Sequence, residues 1–217
     1  MEAVIFDLDG VLIRSESLWA ATRERFTREH GGRWSDEVPR RMIGMSSTEW
    51  SAFIQDELGV EMPAPDISAA VVNRMADIYR RQLPLIPGAT DAVRRLAPHW
   101  PLALASSANR PLIELVLDLA GIAELFSAVV SSEEVARGKP APDVYLEAAA
   151  RLGVAPAATV VIEDSTNGIR AGKAAGMAVI AIPDPADPPA EDALEAADAV
   201  LDGIGELTVD LVRGVVQ

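Results

Sequence analysis

The sequence predicts an α/β fold: a three-layer core around a mainly parallel sheet, with an all-helical segment inserted after the first strand. Three observations predict it. Short apolar runs recur along the chain with helical stretches between them, the pattern of parallel strands joined by right-handed crossovers. Gly121, Gly153 and Gly176 stand where helix C-termini call for a left-handed residue. Between about Ser15 and Leu83 the alternation stops, and no convincing strand is found.

The first run, Ala3-Val4-Ile5-Phe6, opens the chain and is followed at once by Asp7-Leu8-Asp9-Gly10-Val11. Its β-branched content and the glycine after it favour strand over buried helix. Further strands are expected at Leu102–Ala105, Ala128–Val130, Val160–Ile162 and Val179–Ile182, with another at Ala199–Leu201. Helices are expected at Thr90–Leu96, Pro111–Ala120, Asp143–Leu152 and Asn167–Ala175. In the interrupting region, Trp19, Thr22 and Phe26 and the run Val71–Tyr79 suit amphipathic helices, and Met62-Pro63-Ala64-Pro65-Asp66 reads as a turn between helices. Leu83-Pro84-Leu85-Ile86-Pro87-Gly88 reads as a linker returning to the sheet, and Pro183–Pro189 as a surface loop. The expected division is therefore a core of residues 1–14 and 84–217 and a helical cap of residues 15–83. A cap inserted at a strand's carboxyl end lies over whatever site that end carries.

Composition bounds the function. The 217 residues hold ample material for a core, with 49% hydrophobic and 24% charged residues, an ordinary globular balance. The absence of cysteine excludes disulfides, thiolate metal sites and a thiol nucleophile. A formal net charge of −14 disfavours nucleic acid and anionic membranes as partners. A phosphorylated substrate would need local positive charge from a metal, Lys or Arg. The chain opens with no basic segment leading into an apolar stretch, and its apolar run at Met177–Ile182 is too short to span a bilayer, so a cytoplasmic location is expected.

Four polar positions follow strand candidates or sit in the loops beyond them: Asp7/Asp9, Ser106/Ser107, Lys139 and Glu163/Asp164. In a parallel sheet all four groups gather at the carboxyl edge, where α/β folds bind ligands. Asp7, Asp9 and Asp164 are hard oxygen donors suited to Mg²⁺. Lys139 adds a fixed positive charge, and Ser106 a hydroxyl donor for a phosphoryl oxygen. Phosphoryl transfer needs this combination, because its catalysis is mostly positioning and charge stabilisation. With no Cys and no credible Ser–His pair, a carboxylate is the best available nucleophile. Each motif also has a plain structural explanation. Glu163-Asp164-Ser165-Thr166 and Ser106-Ser107 are both what a helix cap looks like, and Gly138-Lys139-Pro140 what an exposed turn looks like. Their order and common strand-end placement favour a site. His30 and His99 lack metal-ligand spacing. Trp19 is expected to pack within the cap, and Trp34, Trp50 and Trp100 carry no assignable role.

Asp7-Leu8-Asp9-Gly10-Val11-Leu12, Ser106, Gly138-Lys139-Pro140 and Glu163-Asp164-Ser165-x-Asn167-Gly168 together resemble the four ordered motifs of the haloacid dehalogenase superfamily, in its phosphatase and β-phosphoglucomutase-like branch. The resemblance spans nearly the whole chain. It implies a Rossmann-like core with a helical cap. It also implies a Mg²⁺-dependent phosphatase of small phosphate monoesters, such as sugar phosphates or phosphoglycolate-like metabolites. Asp7 would be the nucleophile, forming an aspartyl-phosphate. Asp9 would be the general acid and then the base. Asp7, the backbone carbonyl of Asp9, and Asp164 would hold Mg²⁺, with Glu163 acting through a bound water. Ser106, with Ser107 beside it, and Lys139 would bind the phosphoryl group. A free Asp titrates near 3.9, so Asp9 must be kept protonated by its surroundings.

The pattern has departures. Relatives commonly carry Asp where this chain has Arg14, at the expected hinge. Gly44-Met45-Ser46-Ser47 resembles a substrate-facing cap loop, but mutase relatives place Arg at Ser47 and Lys near Ile43 to hold a second phosphate. Their absence favours hydrolysis over a phosphomutase of the β-phosphoglucomutase type. Arg40 and Arg41 read as a solvated face. A receiver-like phospho-acceptor domain is disfavoured by motif order, and a dehalogenase by the acidic pair Glu163-Asp164. The expected partner is a small phosphorylated metabolite, and the expected state a monomer or weak homodimer.

Overall fold

The structure, a computed structural model, describes residues 1–42 and 45–215. Its elements run in the order β1 (Ala3–Phe6), α1 (Glu16–Glu29), α2 (Val38–Met42), α3 (Ser47–Asp56), α4 (Ala64–Arg81), α5 (Ala89–Leu96), β2 (Leu102–Ser106), α6 (Arg110–Ala120), β3 (Phe126–Ser131), α7 (Asp143–Leu152), β4 (Thr159–Glu163), α8 (Thr166–Ala174), β5 (Ala178–Ala181), α9 (Glu191–Ala196), β6 (Ala199–Val200) and α10 (Val209–Gly214). The six strands form one sheet in the order β3-β2-β1-β4-β5-β6, with every neighbouring pair parallel. The chain builds one side of β1 first and then crosses to the other. The change of direction leaves a crevice between the carboxyl ends of β1 and β4, the usual ligand position in such sheets.

The strands read as continuous apolar runs because both sheet faces are covered. Val4, Phe6, Leu102, Leu104, Val160 and Ile162 point to one face, where Val93 and Leu96 of α5 and Ile113 and Val116 of α6 pack. Ile5, Ala103, Ala105 and Val161 point to the other, against Tyr145 and Ala148 of α7 and Ile169 and Ala171 of α8. This period-two partition produces the three layers. Gly121 and Gly153 end α6 and α7 with φ of 62° and 71°, and Gly176, with φ of 73°, follows the end of α8.

The described residues of 15–83 contain four helices. Trp19, Phe26, Ile67, Val71, Met75 and Tyr79 are buried along the facing sides of α1 and α4, as their spacing predicts. Two expectations need correction. The turn at Met62–Asp66 is shorter than the sequence suggests, because α4 already begins at Ala64. Pro63 stands at its N-cap and Pro65 in its first turn, where a missing N–H costs nothing. The loop reading of Gly44–Ser47 is also revised: Ser46 and Glu49 form a reciprocal capping box that opens α3, so Ser47 is helical. Ile43 and Gly44 lie outside the described residues. The two crossings at the base of the helical segment run side by side, joined by bonds from Arg14 N to Pro84 O (2.8 Å) and from Ile86 N to Leu12 O (2.9 Å). Among the described residues, no helix is long and apolar enough to cross a membrane.

Gly172 lets α8 lie close on the sheet: a Cβ there would come within 2.7 Å of Val179 Cγ2. Gly172→Val is therefore expected to cost about 1–3 kcal/mol of stability through overpacking, read by chemical denaturation. Unchanged stability would refute this close packing.

Candidate active site

The carboxyl ends of three strands deliver the site. β1 ends into Asp7, whose N–H donates to Ile162 O (3.0 Å), so the loop leaves the sheet in register with β4. β4 ends at Glu163, with Asp164 next, and β2 ends at Ser106. Lys139 comes from the loop before α7 and is buried. Its ammonium donates to Asp7 Oδ1 (2.7 Å), Glu163 Oε1 (2.7 Å) and Ala105 O (3.2 Å). All three of its protons are thereby used, each on a different strand end. The exposed-turn reading of Gly138-Lys139-Pro140 is excluded.

Glu163 is wholly buried and saturated. Oε1 also accepts from Tyr145 Oη (2.8 Å), and Oε2 accepts from Asp164 N (2.8 Å), Ser165 N (2.9 Å) and Ser165 Oγ (3.0 Å). The helix cap is supplied by Ser165, whose Oγ accepts from Gly168 N (3.0 Å), so Glu163 is not the cap. Two glycines make this crowding possible. A Cβ at Gly168 would sit 1.6 Å from Glu163 Oε1. One at Gly10, where φ is +82°, would sit 1.8 Å from Asp164 Oδ2.

Oxygens of Asp7, Glu163 and Asp164 lie within 4.8 Å of one another. Burial pushes Asp7 up to about 7, against the pull of Lys139. Burial also raises Asp164 well above the carboxylate range, with the charges of Glu163 and Asp7 adding to the effect. Glu163 is different. Burial works against its charge, but Lys139, Ser165 and Tyr145 outweigh it and hold its pKa low. Burial likewise opposes the Lys139 ammonium, and Asp7 and Glu163 overcome it and raise its pKa. The cluster therefore carries more carboxylates than Lys139 can neutralise. Hard oxygens with unmet charge are what Mg²⁺ binds. Asp7 and Asp164 are the donors with oxygens to spare, because those of Glu163 are already taken.

Asp9 is held apart from this cluster. Its Oδ1 accepts a hydrogen bond from Ser15 Oγ, just before α1. Burial raises its pKa, although that bond and Lys139 pull the other way. A raised pKa is what a carboxyl that must donate a proton requires. Ser106 is buried, and its Oγ accepts from Ala108 N (3.0 Å). Ser107 lines the cavity over the site.

A cavity of about 360 Å³ lies over these groups, reaching from Asp7, Asp9, Ser106, Lys139 and Asp164 to Trp19, Arg23 and Trp50 of the helical segment. Several of its features are not anticipated from the sequence. Trp50 acquires a place in the cavity wall, Trp19 lines the cavity as well as packing, and Pro188 and Pro189 make the supposed surface loop part of the rim. Arg14 reaches that loop at Asp184 (3.7 Å). Ser47 Oγ donates to Asn109 Oδ1 (3.0 Å), tying α3 to the loop after β2. Tyr145 and Arg23 are also new. The signal for Arg23 was its place four residues after Trp19, on one helix face. His30 stacks on Phe26 and bonds its carbonyl oxygen (2.8 Å), and Arg41 pairs with Glu57 on an exposed face.

Known proteins are similar to this chain in sequence and fold. The bifunctional riboflavin kinase/FMN phosphatase of Arabidopsis thaliana is 35% identical over 83% of this chain, which spans only 48% of that longer protein. Hexitol phosphatase B of Escherichia coli is 34% identical over 98% of this chain and 96% of its own length. The crystal structure of CbbY from Rhodobacter sphaeroides in complex with phosphate superposes with a TM-score of 0.88, at 28% identity, covering 98% of this chain and 99% of that one. The family model described as haloacid dehalogenase-like hydrolase matches residues 1–176, and the chain belongs to that family.

Proposed function

We propose that the protein is a Mg²⁺-dependent phosphatase that hydrolyses small phosphate monoesters, sugar phosphates or phosphoglycolate-like metabolites, through an aspartyl-phosphate on Asp7. The observation that carries this reading is the buried ion cluster. Asp7 is fixed by Lys139 within 4.8 Å of Asp164, at the mouth of a cavity that Asp9 also lines. The phosphatase relatives, including one that acts by name on hexitol phosphates, support it.

Asp7, Asp164 and the backbone carbonyl of Asp9 would hold Mg²⁺. Bound there, the ion supplies charge neutralisation for a phosphoryl oxygen. Glu163 serves by holding Lys139 rather than as a direct ligand. The free Asp7 oxygen attacks phosphorus in line with the ester oxygen, while Ser106 donates to the transferring group and Lys139, held beside Asp7, stabilises it by its charge. At about 4 Å and an effective dielectric of about 20, each opposite charge offsets roughly 4 kcal/mol of the repulsion between a carboxylate and a phosphate dianion. Asp9 gives its proton to the departing ester oxygen. Asp9, now a carboxylate, takes a proton from water as that water attacks phosphorus, which frees phosphate and restores Asp7. The helices of residues 15–83, read as a cap on a core of residues 1–14 and 84–217, exclude bulk water during these steps. Hydrolysis is favoured over a phosphomutase because the Ser47 hydroxyl is committed to Asn109 and offers no cation for a second phosphate.

Phosphate release should be measured over sugar, nucleotide and short-acid phosphates, with Mg²⁺ and with chelator. Asp7→Asn should retain the fold and release no phosphate, and chelator should abolish turnover. Activity in either case removes the nucleophile or the metal assignment. A sugar monophosphate supplied with its bisphosphate should give phosphate rather than an isomer.

Mg²⁺ affinity should rise with pH up to about 7. A protonated Asp7 cannot ligate, and its pKa of about 7 means that binding must expel a proton at lower pH. Calorimetry in buffers of different ionisation enthalpy reads that proton. An affinity that stays flat between about pH 5 and about pH 8 contradicts the ligand set.

Gly168→Ala should drive the Glu163 carboxylate off its position and misplace Lys139. The expected result is a fall in kcat of about 100-fold, measured at saturating substrate. Wild-type kcat would show that Glu163 does not position Lys139.

A further inference from the structure

Among the described residues, Arg23 is the one buried charged side chain of the cavity wall that the mechanism above leaves without work. It lies on α1 and is 8% exposed. Its guanidinium carbon stands 4.9 Å from the Trp19 ring centre and 5.1 Å from that of Trp50. The two rings are 6.2 Å apart and inclined by 55°, a cleft with the guanidinium against both faces. Its Nε is fully buried and has no hydrogen-bond partner among the described residues. Contact with two indole faces stabilises a cation. It does not satisfy the N–H groups, and a buried donor without an acceptor is costly. An aliphatic residue would fill the space between the indoles without that cost. The side chain also lines the cavity that holds Asp7 and Asp9.

We propose that Arg23 is the specificity-determining residue of this site, and that its guanidinium hydrogen-bonds hydroxyl oxygens of a polyhydroxylated leaving group, a sugar or polyol, lying in the cavity beside Trp19 and Trp50. The proposal rests on the phosphatase reading. Arginine has donors and no acceptor, so its ligand must present acceptor oxygens. Both hydroxyls and a second anionic group do so. The wall decides between them. It carries six carboxylate side chains against three cationic ones, with Glu16 and Asp9 the charge neighbours of Arg23. A second phosphate or carboxylate would meet that negative field. A hydroxyl avoids it, because it accepts from Arg23 and can donate to Glu16. The carbon skeleton of the leaving group packs against the cavity-side surface of the two indoles, which is largely apolar.

The test compares a hexitol phosphate, an aryl phosphate whose leaving group has no hydroxyl, and phosphoglycolate, in the wild-type protein and in Arg23→Met and Arg23→Lys. The readout is the ratio of kcat/KM for the hexitol ester to kcat/KM for the aryl ester. In Arg23→Met this ratio should fall about 10- to 100-fold, the worth of one charge-assisted hydrogen bond, chiefly through a higher KM for the hexitol ester. Arg23→Lys should recover part of it. A merely structural role would lower both substrates together and leave the ratio unchanged, and that result overturns the proposal. A larger loss toward phosphoglycolate than toward the hexitol ester overturns it in favour of a second anion. Should Arg23→Met not fold, Arg23→Lys alone decides, since loss of the planar fork must also lower the ratio. A wild-type protein that hydrolyses the aryl ester but shows no change of ratio in the variants defeats only the Arg23 assignment. One that releases phosphate from none of the three defeats the phosphatase reading with it.

Discussion

One ammonium group organises the molecule's working end. Lys139 joins Asp7 after β1, Glu163 at the end of β4 and the Ala105 carbonyl in β2. Three adjacent strands are thus locked to a common register at the edge where the sheet reverses direction. Such a cluster is weak evidence for stability, because desolvating its charges offsets much of their attraction. Its value is geometric. Glu163 accepts bonds from five donors, so it cannot turn away from Lys139. Lys139 has no unused proton, so it cannot turn away from Asp7. The rigidity passes outward from Tyr145 and Ser165 to the carboxylate that faces the cavity.

The site as a whole is arranged so that neighbouring carboxyls differ in kind. Glu163 is held as an anion by its donors, while Asp7 and Asp164 are raised by burial and by neighbouring carboxylates, and Asp9 is held by Ser15 at the edge of the helical segment. Burial alone would treat all four alike. What separates them is the local supply of N–H and O–H groups, and that supply comes from the turn following β4 and from the start of α1.

The sheet was largely legible in the sequence, because strands covered on both faces must be apolar throughout and their ends are marked by the first polar residue. Asp7, Ser106 and Glu163 were found in this way, and the structure brings them to one edge. Lys139 required the motif order, since a Gly-Lys-Pro turn has no periodicity of its own. What stayed hidden depends on contacts between distant segments. The Ser46–Glu49 capping box has a readable spacing, yet its place in a cap loop masked it. Arg23 shares a helix face with Trp19, but its burial follows only once Trp50, from α3, closes over it. The Ser47–Asn109 bond joins residues 62 positions apart, and no local pattern announces it.

The paired crossings beneath the helical segment have a mechanical consequence. Leu12 to Arg14 and Pro84 to Ile86 are stitched together by main-chain bonds, and Ile13 and Leu85 bridge antiparallel between them. Two plies joined along their edges resist shear and splaying, which would break those bonds, but flex readily across their thin dimension. Movement of the helices against the sheet is thereby steered toward a swing about a single axis. Because Ser15 follows directly on one ply, such a swing would turn about a point beside Asp9.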